Sequence, residues 1–194
     1  MKTLSIIAAL VLLLPSVAPG MIFVRIPGMG DPSITVEGYN DGTWFVAESF
    51  GFGIEREMKE SGEKAGTEDI NIGVGELQEC TISKSMDWSS AKLAQFAING
   101  NSCGTAEIHF VEVAGDDPAA KPLCYLKYKL DRCFVKSWST SGDADDRPSE
   151  EVAFYYNKIA FAYTSSVDGD EWGAGHTMSW DNVTNLPWTD HGIK

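Results

Sequence analysis

The feature that most restricts the fold is a long segment in which apolar side chains recur at even positions. These side chains are Cys124, Leu126, Tyr128, Leu130, Phe134 and Trp138. The odd positions between them include Lys127, Lys129 and Asp131, which suit a face turned to solvent. Alternation at period two is the pattern of a β-strand with one buried face. The chain must therefore supply further strands or a helix to cover that face.

Other segments carry the strand pattern as well. They are residues 21–26, 44–54, 70–82, 105–115 and 152–163, with a weak terminal strand in residues 173–182. One predicted face of the second segment carries Trp44, Val46, Phe50, Phe52 and Ile54. One face of the third carries Ile70, Ile72, Val74, Cys80 and Ile82. With 19 glycines against 8 prolines, the composition also favours a turn-rich β protein.

Only one segment changes to helical spacing. Asp87 is a good N-cap, Leu93 and Phe96 with Ala97 share one side, and Gly100 is a typical C-terminal stop. The predicted fold is therefore mainly β, a closed β-barrel or two-sheet sandwich with one short flanking α-helix. The length favours a single domain over residues 21–194.

The strand at residues 152–163 changes parity along its length. Val152, Phe154 and Tyr156 share one face, whereas Ile159, Phe161 and Tyr163 have the opposite parity. A bulge near Asn157 and Lys158 would keep both sets inward; alternatively, both faces are covered. Residues 55–69, by contrast, are charged and almost without apolar side chains, which predicts a long exposed loop.

The formal net charge of −13 restricts the partners. A surface of that sign repels phosphate backbones and anionic membranes, so we expect neither nucleic-acid nor membrane binding. Any homo-oligomer must overcome this self-repulsion through apolar or strand-to-strand contact.

The first 20 residues differ from the rest of the chain. Lys2 precedes an apolar run that ends before Pro15, and small residues follow. This is the layout of a secretory signal peptide, and the run is shorter than the roughly 20 residues that span a bilayer. Cleavage after Gly20 would free Met21. The alternative is that Met21 is the true start of a protein assembled in the cytoplasm.

The four cysteines predict no zinc site, because Cys80, Cys103, Cys124 and Cys133 contain no closely spaced pair. An exported chain could form two disulfides. Cys124 and Cys133 lie on one predicted strand, roughly 30 Å apart, and cannot bond to each other. Cys80 and Cys103 flank the helix and could approach. Buried free thiols are the alternative.

The candidate chemical sites are weak. Asp143, Asp145 and Asp146 could bind calcium on a loop, but their spacing lacks an EF-hand cage, and Arg147 beside them favours a structural turn. The histidines are His109 in mid-strand, His176 in the weak terminal strand, and His191, expected to be solvated. No nucleophile elbow is present. We expect no catalytic or metal residues, no cofactor and no enzyme activity.

Most aromatic side chains fall on inward positions, which indicates core packing rather than a carbohydrate platform. Trp172 and Trp188 are exceptions, since glycine, proline and acids flank them. They are the better candidates for a surface contact.

Four stretches resemble the haemolysin-coregulated protein (Hcp) family of the type VI secretion system. The most distinctive is "SGDADDRPSEEVAFYYNKIAFAYT". In matching order, "GTWFVAESFGFGIER" is similar to the family's early strand, "SKSMDWSSAKLAQFAINGN" to its single helix and "GHTMSWDN" to its closing strand. The resemblance implies a β-barrel of two sheets with one helix on its flank.

The resemblance also implies a non-enzymatic function. Members of this family assemble into hexameric rings that stack into a tube, which carries the spike and small effectors. The long loop at residues 55–69 would bridge protomers. The leader departs from the family, whose tube assembles in the cytoplasm. Two alternatives stay open: an exported binding or structural module that is not part of a tube, and a secreted metal-dependent enzyme using the Asp143–Asp146 loop.

Overall fold

The computed structural model describes residues 20–60, 70–113, 122–164 and 176–193. The strands are β1 Met21–Arg25, β2 Trp44–Ala47, β3 Ser49–Gly51, β4 Ile54–Glu60, β5 Ile70–Leu77, β6 Cys80–Ser85, β7 Ser102–Val113, β8 Pro122–Ser141, β9 Ser149–Tyr155, β10 Lys158–Tyr163 and β11 Thr177–Asp181. The helix described within these ranges is α1, Ser90–Asn99. The predicted mainly β class with one short helix is confirmed.

Nine strands form one antiparallel sheet that bends around the core. Its order is β2-β1-β7-β8-β9-β6-β3, and β10 pairs with both β8 and β11. The first and last strands of this order are separated in the chain by Glu48 alone. The Glu48 amide donates to the carbonyl oxygen of Ser83 at 2.8 Å. The chain therefore passes directly from one end of the sheet to the other, and side chains from both ends enter one core, as in a two-sheet sandwich.

The core is built from side chains of nearly every strand of this sheet. Its largest fully buried members include Phe45, Phe154, Ile26, Leu130, Ile159 and Leu93. Leu93 comes from α1, and Phe96 and Ala97 pack beside it. Gly100 ends the helix in the left-handed region at φ 66°, as predicted. The predicted N-cap is wrong by two residues: Ser89 holds that position, while Asp87 accepts hydrogen bonds from its amide and hydroxyl.

The strand β8 has the predicted inward face at Tyr128 and Leu130, whereas Cys124, beyond a register shift against β7, packs on a separate cluster around Phe23 and Val111. Arg132 has φ 50°, and the register against β7 shifts beside it, so the next buried side chains are Cys133 and Val135. A second shift against β9 then returns Trp138 to the core side. Irregularities of this kind bend a strand, which lets one long strand serve both halves of the sheet.

The parity change in residues 152–163 has two causes, an irregularity at Asn157 and the covering of both faces of β10. Val152, Phe154 and Tyr156 are buried before a break in pairing at Asn157, and Ile159 is buried after it. Ala160 and Ala162 are buried as well, so both faces of β10 are covered.

The single face predicted for residues 44–54 reaches the main core only at Phe50 and Phe52. Phe45 and Ala47, not Trp44 and Val46, enter the main core; Trp44 joins a second cluster with Phe23, and Val46 is exposed. The chain pivots between β2 and β3, so one face is not kept along the segment.

The predicted loop at residues 55–69 is also wrong in its first part. Residues 55–60 belong to β4, which pairs with β5 in a separate two-stranded sheet. Residues 61–69 lie outside the described part. Residues 70–82 likewise form two strands, β5 and β6, rather than one. The sequence did not predict β4 because its described side chains are exposed on both faces, so charged residues replace the apolar alternation of a half-buried strand.

Candidate functional site

The hairpin of β4 and β5 is the strongest candidate for an interaction surface. Its strands pair with each other, for example Ile54 with Leu77 and Arg56 with Gly75, and among the described residues neither joins the nine-stranded sheet. Ile54 is 60% exposed and Met58 is 63% exposed. The described part of the protomer leaves these large apolar side chains uncovered.

A groove separates this hairpin from β11 and the turn after it. It has a volume of about 470 Å³ and is lined by residues that include Ile54, Arg56, Leu77, Met178, Trp180 and Asn185. Its walls are mainly apolar, and Leu186, which is 60% exposed, lies in the same turn as Asn185. We call the exposed side chains of the hairpin, this groove and the turn the hairpin surface.

The turn beside the groove is rigidly built. The Asp181 carboxylate accepts hydrogen bonds from the amides of Val183 and Thr184, and Leu186 bridges back to Asp181. Partial burial acts to raise the pKa of Asp181, but these hydrogen bonds and Lys158 lower it overall. The ionised carboxylate therefore holds the turn that presents Val183 and Leu186 to solvent.

A buried ion network positions the helix on the sheet. Lys84 on β6 donates to the Glu150 carboxylate on β9 at 2.7 Å and lies 2.7 Å from Asp87. Ser90 and Trp138 donate to the same Glu150 side chain. Lys84 and Glu150 are both 1% exposed. Nothing in the sequence separated these two residues from ordinary surface charges.

A known protein family matches most of the strands and the helix described above. The family model "Type VI secretion system effector, Hcp" matches residues 29–163. The chain belongs to the Hcp family. The match includes β2 to β10, the helix and the whole hairpin, so the predicted resemblance is confirmed. No curated protein gave a significant match.

Solved Hcp-type structures share this fold. A type six secretion system protein is 21% identical, with a TM-score of 0.69 over 88% of this chain and 100% of its own. Hcp1 from Salmonella typhimurium is 18% identical, with a TM-score of 0.62 over 87% and 99%. A mutant of Hcp1 from E. coli EAEC 042 is 16% identical, with a TM-score of 0.62 over 85% and 99%. The full length of each relative is thus covered.

The acidic loop of this Hcp-family chain forms a turn. The Asp145 amide donates to Asp143 at 3.0 Å, and the Arg147 amide donates to Asp146 at 2.7 Å. All four residues are exposed. Within the described ranges, no group of three metal-ligating side chains converges here or elsewhere. The carboxylates serve the backbone of their own loop.

The three histidines lie apart. His109 on β7 is hydrogen bonded through Nδ1 to the Tyr39 hydroxyl at 3.1 Å, and burial lowers its pKa to about 3. His176, just before β11, stacks edge-on with Tyr163. The prediction of a solvated His191 is wrong: its ring packs near Trp188, and its carbonyl oxygen accepts from Lys129.

Of the two tryptophans singled out from the sequence, Trp188 lies in the described part of the chain and does not form a surface site. Trp188 is only 7% exposed, with the ammonium groups of Lys129 and Lys158 near its ring, so that prediction is wrong. Trp172 lies outside the described residues. The sequence analysis missed that the tail folds back on β8 and β10, because its flanking glycine and acids indicated a free end.

A second groove, with polar walls, lies along β3, β6, β8 and β9. Its lining includes Ser49, Thr81, Ser83, Ser137, Ser139 and Glu151. Ser49 and Ser83 are hydrogen bonded to each other at 2.6 Å, and the three histidines lie elsewhere. Among the described residues the groove therefore holds no serine–histidine pair of the kind that activates a hydroxyl nucleophile. Of the helices in the described part, none is long and apolar enough to cross a bilayer.

Proposed function

We propose that this Hcp-family chain is a non-enzymatic structural protein that assembles into hexameric rings, which stack into a tube. Its partners would be further copies of itself, the spike and small secreted effectors carried in the enclosed space. Family membership over residues 29–163 and a fold shared along whole Hcp structures support this role.

The observation that carries the proposal is the hairpin surface. It combines Ile54, Met58 and Leu186, each at least 60% exposed, with an apolar groove beside them. An exposed apolar surface of this kind is typical of a protein contact. A chain with a net charge of −13 also needs apolar contact to hold like-charged protomers together.

The test uses charged substitutions on the hairpin surface. We expect the double variant Ile54→Asp and Met58→Asp to stay folded, because both side chains are exposed, and to lose ring formation. Ile98→Asp is the matched control: Ile98 is 88% exposed on α1, away from the hairpin, and this variant should still form rings. Negative-stain electron microscopy and circular dichroism give the two readouts. Intact rings from the folded double variant would contradict the assignment of this surface.

We further propose that the chain is delivered outside the cytoplasm by the leader in residues 1–20. The basic, apolar and small-residue sections of that segment support this localisation. N-terminal sequencing of the protein from its native host should begin at Met21, with the protein in the periplasm or medium. A cytoplasmic protein that leaves the cell only when the type VI machine is active would favour the alternative start at Met21.

The leader also favours a second candidate function, an exported Hcp-like binding or structural module outside any secretion tube. This candidate predicts monomers or small oligomers rather than rings. Long tubes forming from purified protein would reject it.

A further inference from the structure

Two cysteine side chains meet in the core where β7 lies against β8. The Cys103 thiol donates to the carbonyl oxygen of Cys133 at 3.1 Å, and the two thiols are within hydrogen-bonding reach of each other. Cys103 is 5% exposed and Cys133 is fully buried. Both belong to the main core cluster.

Irregular backbone brings these side chains to the same face. The register partner of Cys133 is Gly104, so in a regular ladder the neighbouring Cys103 would point to the opposite face. Gly104 has φ 79° and Arg132 has φ 50°, and the register shifts on both sides of Gly104. The double irregularity turns both thiols inward.

We propose that Cys103 and Cys133 form a disulfide bond when the chain folds in contact with a disulfide oxidant. Cys103 is next to Gly104, the register partner of Cys133, and neighbouring strands lie about 4.8 Å apart, so the two Cα atoms fall within the range that a disulfide spans. The cross-link would tie β7 to β8 beside α1, and it is independent of ring assembly. The described structure has both thiols in the free state.

The oxidant is a protein or small-molecule disulfide. The Cys103 thiolate attacks one sulfur of that disulfide, forms a mixed disulfide and releases the first thiolate. Cys133 then gives up its proton and attacks the Cys103 sulfur, which releases the second thiolate. One disulfide is broken and one is formed, two cysteine thiols are oxidised, and the oxidant is reduced to two thiols.

The two thiols are hydrogen bonded to each other and shielded from solvent in the folded protein. The hydrogen bond between them lowers the pKa of the Cys103 thiol, while that bond and burial raise the pKa of Cys133. Because both side chains are buried in the folded protein, the oxidant must reach them before the core closes. The cross-link is thus expected to form during folding.

The other cysteines are matched controls. Cys80 on β6 is buried beside Tyr156, and burial raises its pKa to about 12. Cys124 lies near the opposite end of β8, where its thiol is near the Tyr39 hydroxyl. The sequence-based expectation that Cys80 and Cys103 approach each other gives a competing pairing.

The test refolds the full chain in a glutathione redox buffer, then denatures it and blocks free thiols. Digestion with trypsin and a glutamyl endopeptidase cuts after Lys84, Glu107 and Lys127, which places each of the four cysteines on its own peptide. We expect the peptide map under non-reducing conditions to contain one linked pair, Cys103 with Cys133. Reduction should remove this link. The variants Cys80→Ser and Cys124→Ser should keep the link, and Cys103→Ser should lose it.

A second readout follows thermal unfolding of the same samples. The bond closes a loop of about 30 residues, so oxidation should raise the unfolding temperature by about 5–10 °C, and reduction should reverse the shift. Four unlinked cysteines after refolding, or a link that contains Cys80 or Cys124 instead, would overturn the proposal. The map of the unsubstituted chain decides this even if a serine variant does not fold.

Discussion

At the scale of single residues, the buried pair of Lys84 and Glu150 makes the clearest prediction. Replacing Lys84 by Met leaves the Glu150 carboxylate buried without its cation, which should cost about 3–5 kcal/mol of unfolding free energy. Lys136→Met is the matched control, because its ion pair with Glu79 is exposed and should cost at most about 1 kcal/mol. Urea denaturation measures both. Equal losses in the two variants would show that the buried network has no special role.

His109 makes a prediction about pH. Burial lowers its pKa from 6.5 to about 3, with Lys127 and Arg25 adding to the effect and Glu107 the nearby acid. In the unfolded chain His109 binds a proton below pH 6.5, whereas in the folded chain it does not bind one until about pH 3. The contribution of neutral, buried His109 to the unfolding free energy is therefore fully present above pH 6.5 and is lost as the pH falls towards 3. His109→Phe should flatten the unfolding free energy over that window, and an unchanged slope would reject the assignment.

At the scale of strands and the helix, backbone irregularity decides which faces are buried. Arg132 occupies the left-handed region, which a β-branched residue adopts only with strain. Arg132→Val should be about 1–2 kcal/mol less stable than Arg132→Gly, as measured by urea denaturation. Ser139→Val, at an exposed position of regular pairing on the same strand, should have little effect. If the two Arg132 variants are equally stable, the strand must adjust its register there.

The sequence predicted those elements whose side chains follow one period. The helix around Leu93 and the inward positions of Tyr128 and Leu130 are found as expected, because burial on one face leaves a direct pattern. The bulge at Arg132 was not predicted, since neither glycine nor asparagine marks its positive φ. The hairpin around Ile54 was missed because a strand exposed on both faces carries no alternation. The hairpin surface depends on strands far apart in the chain, which local patterns cannot bring together.

At the scale of the whole molecule, charge and apolar surface act in opposite directions. Protomers with a net charge of −13 repel one another, whereas the hairpin surface favours contact. Added salt screens the repulsion with a Debye length of about 10 Å at 0.1 M. We therefore expect rings to dissociate more readily at low ionic strength, as measured by sedimentation velocity. Assembly that weakens as salt rises would indicate contacts made by ion pairs instead.

The central claim is that this Hcp-family chain works by self-assembly. Its most direct test is the solution mass of the purified protein, measured by light scattering after size exclusion. We expect about six times the mass of one protomer, and we expect Ile54→Asp and Met58→Asp together to reduce it to that of a single protomer. A monomer for the unsubstituted protein at all salt concentrations would contradict the account and leave the exported module as the better explanation.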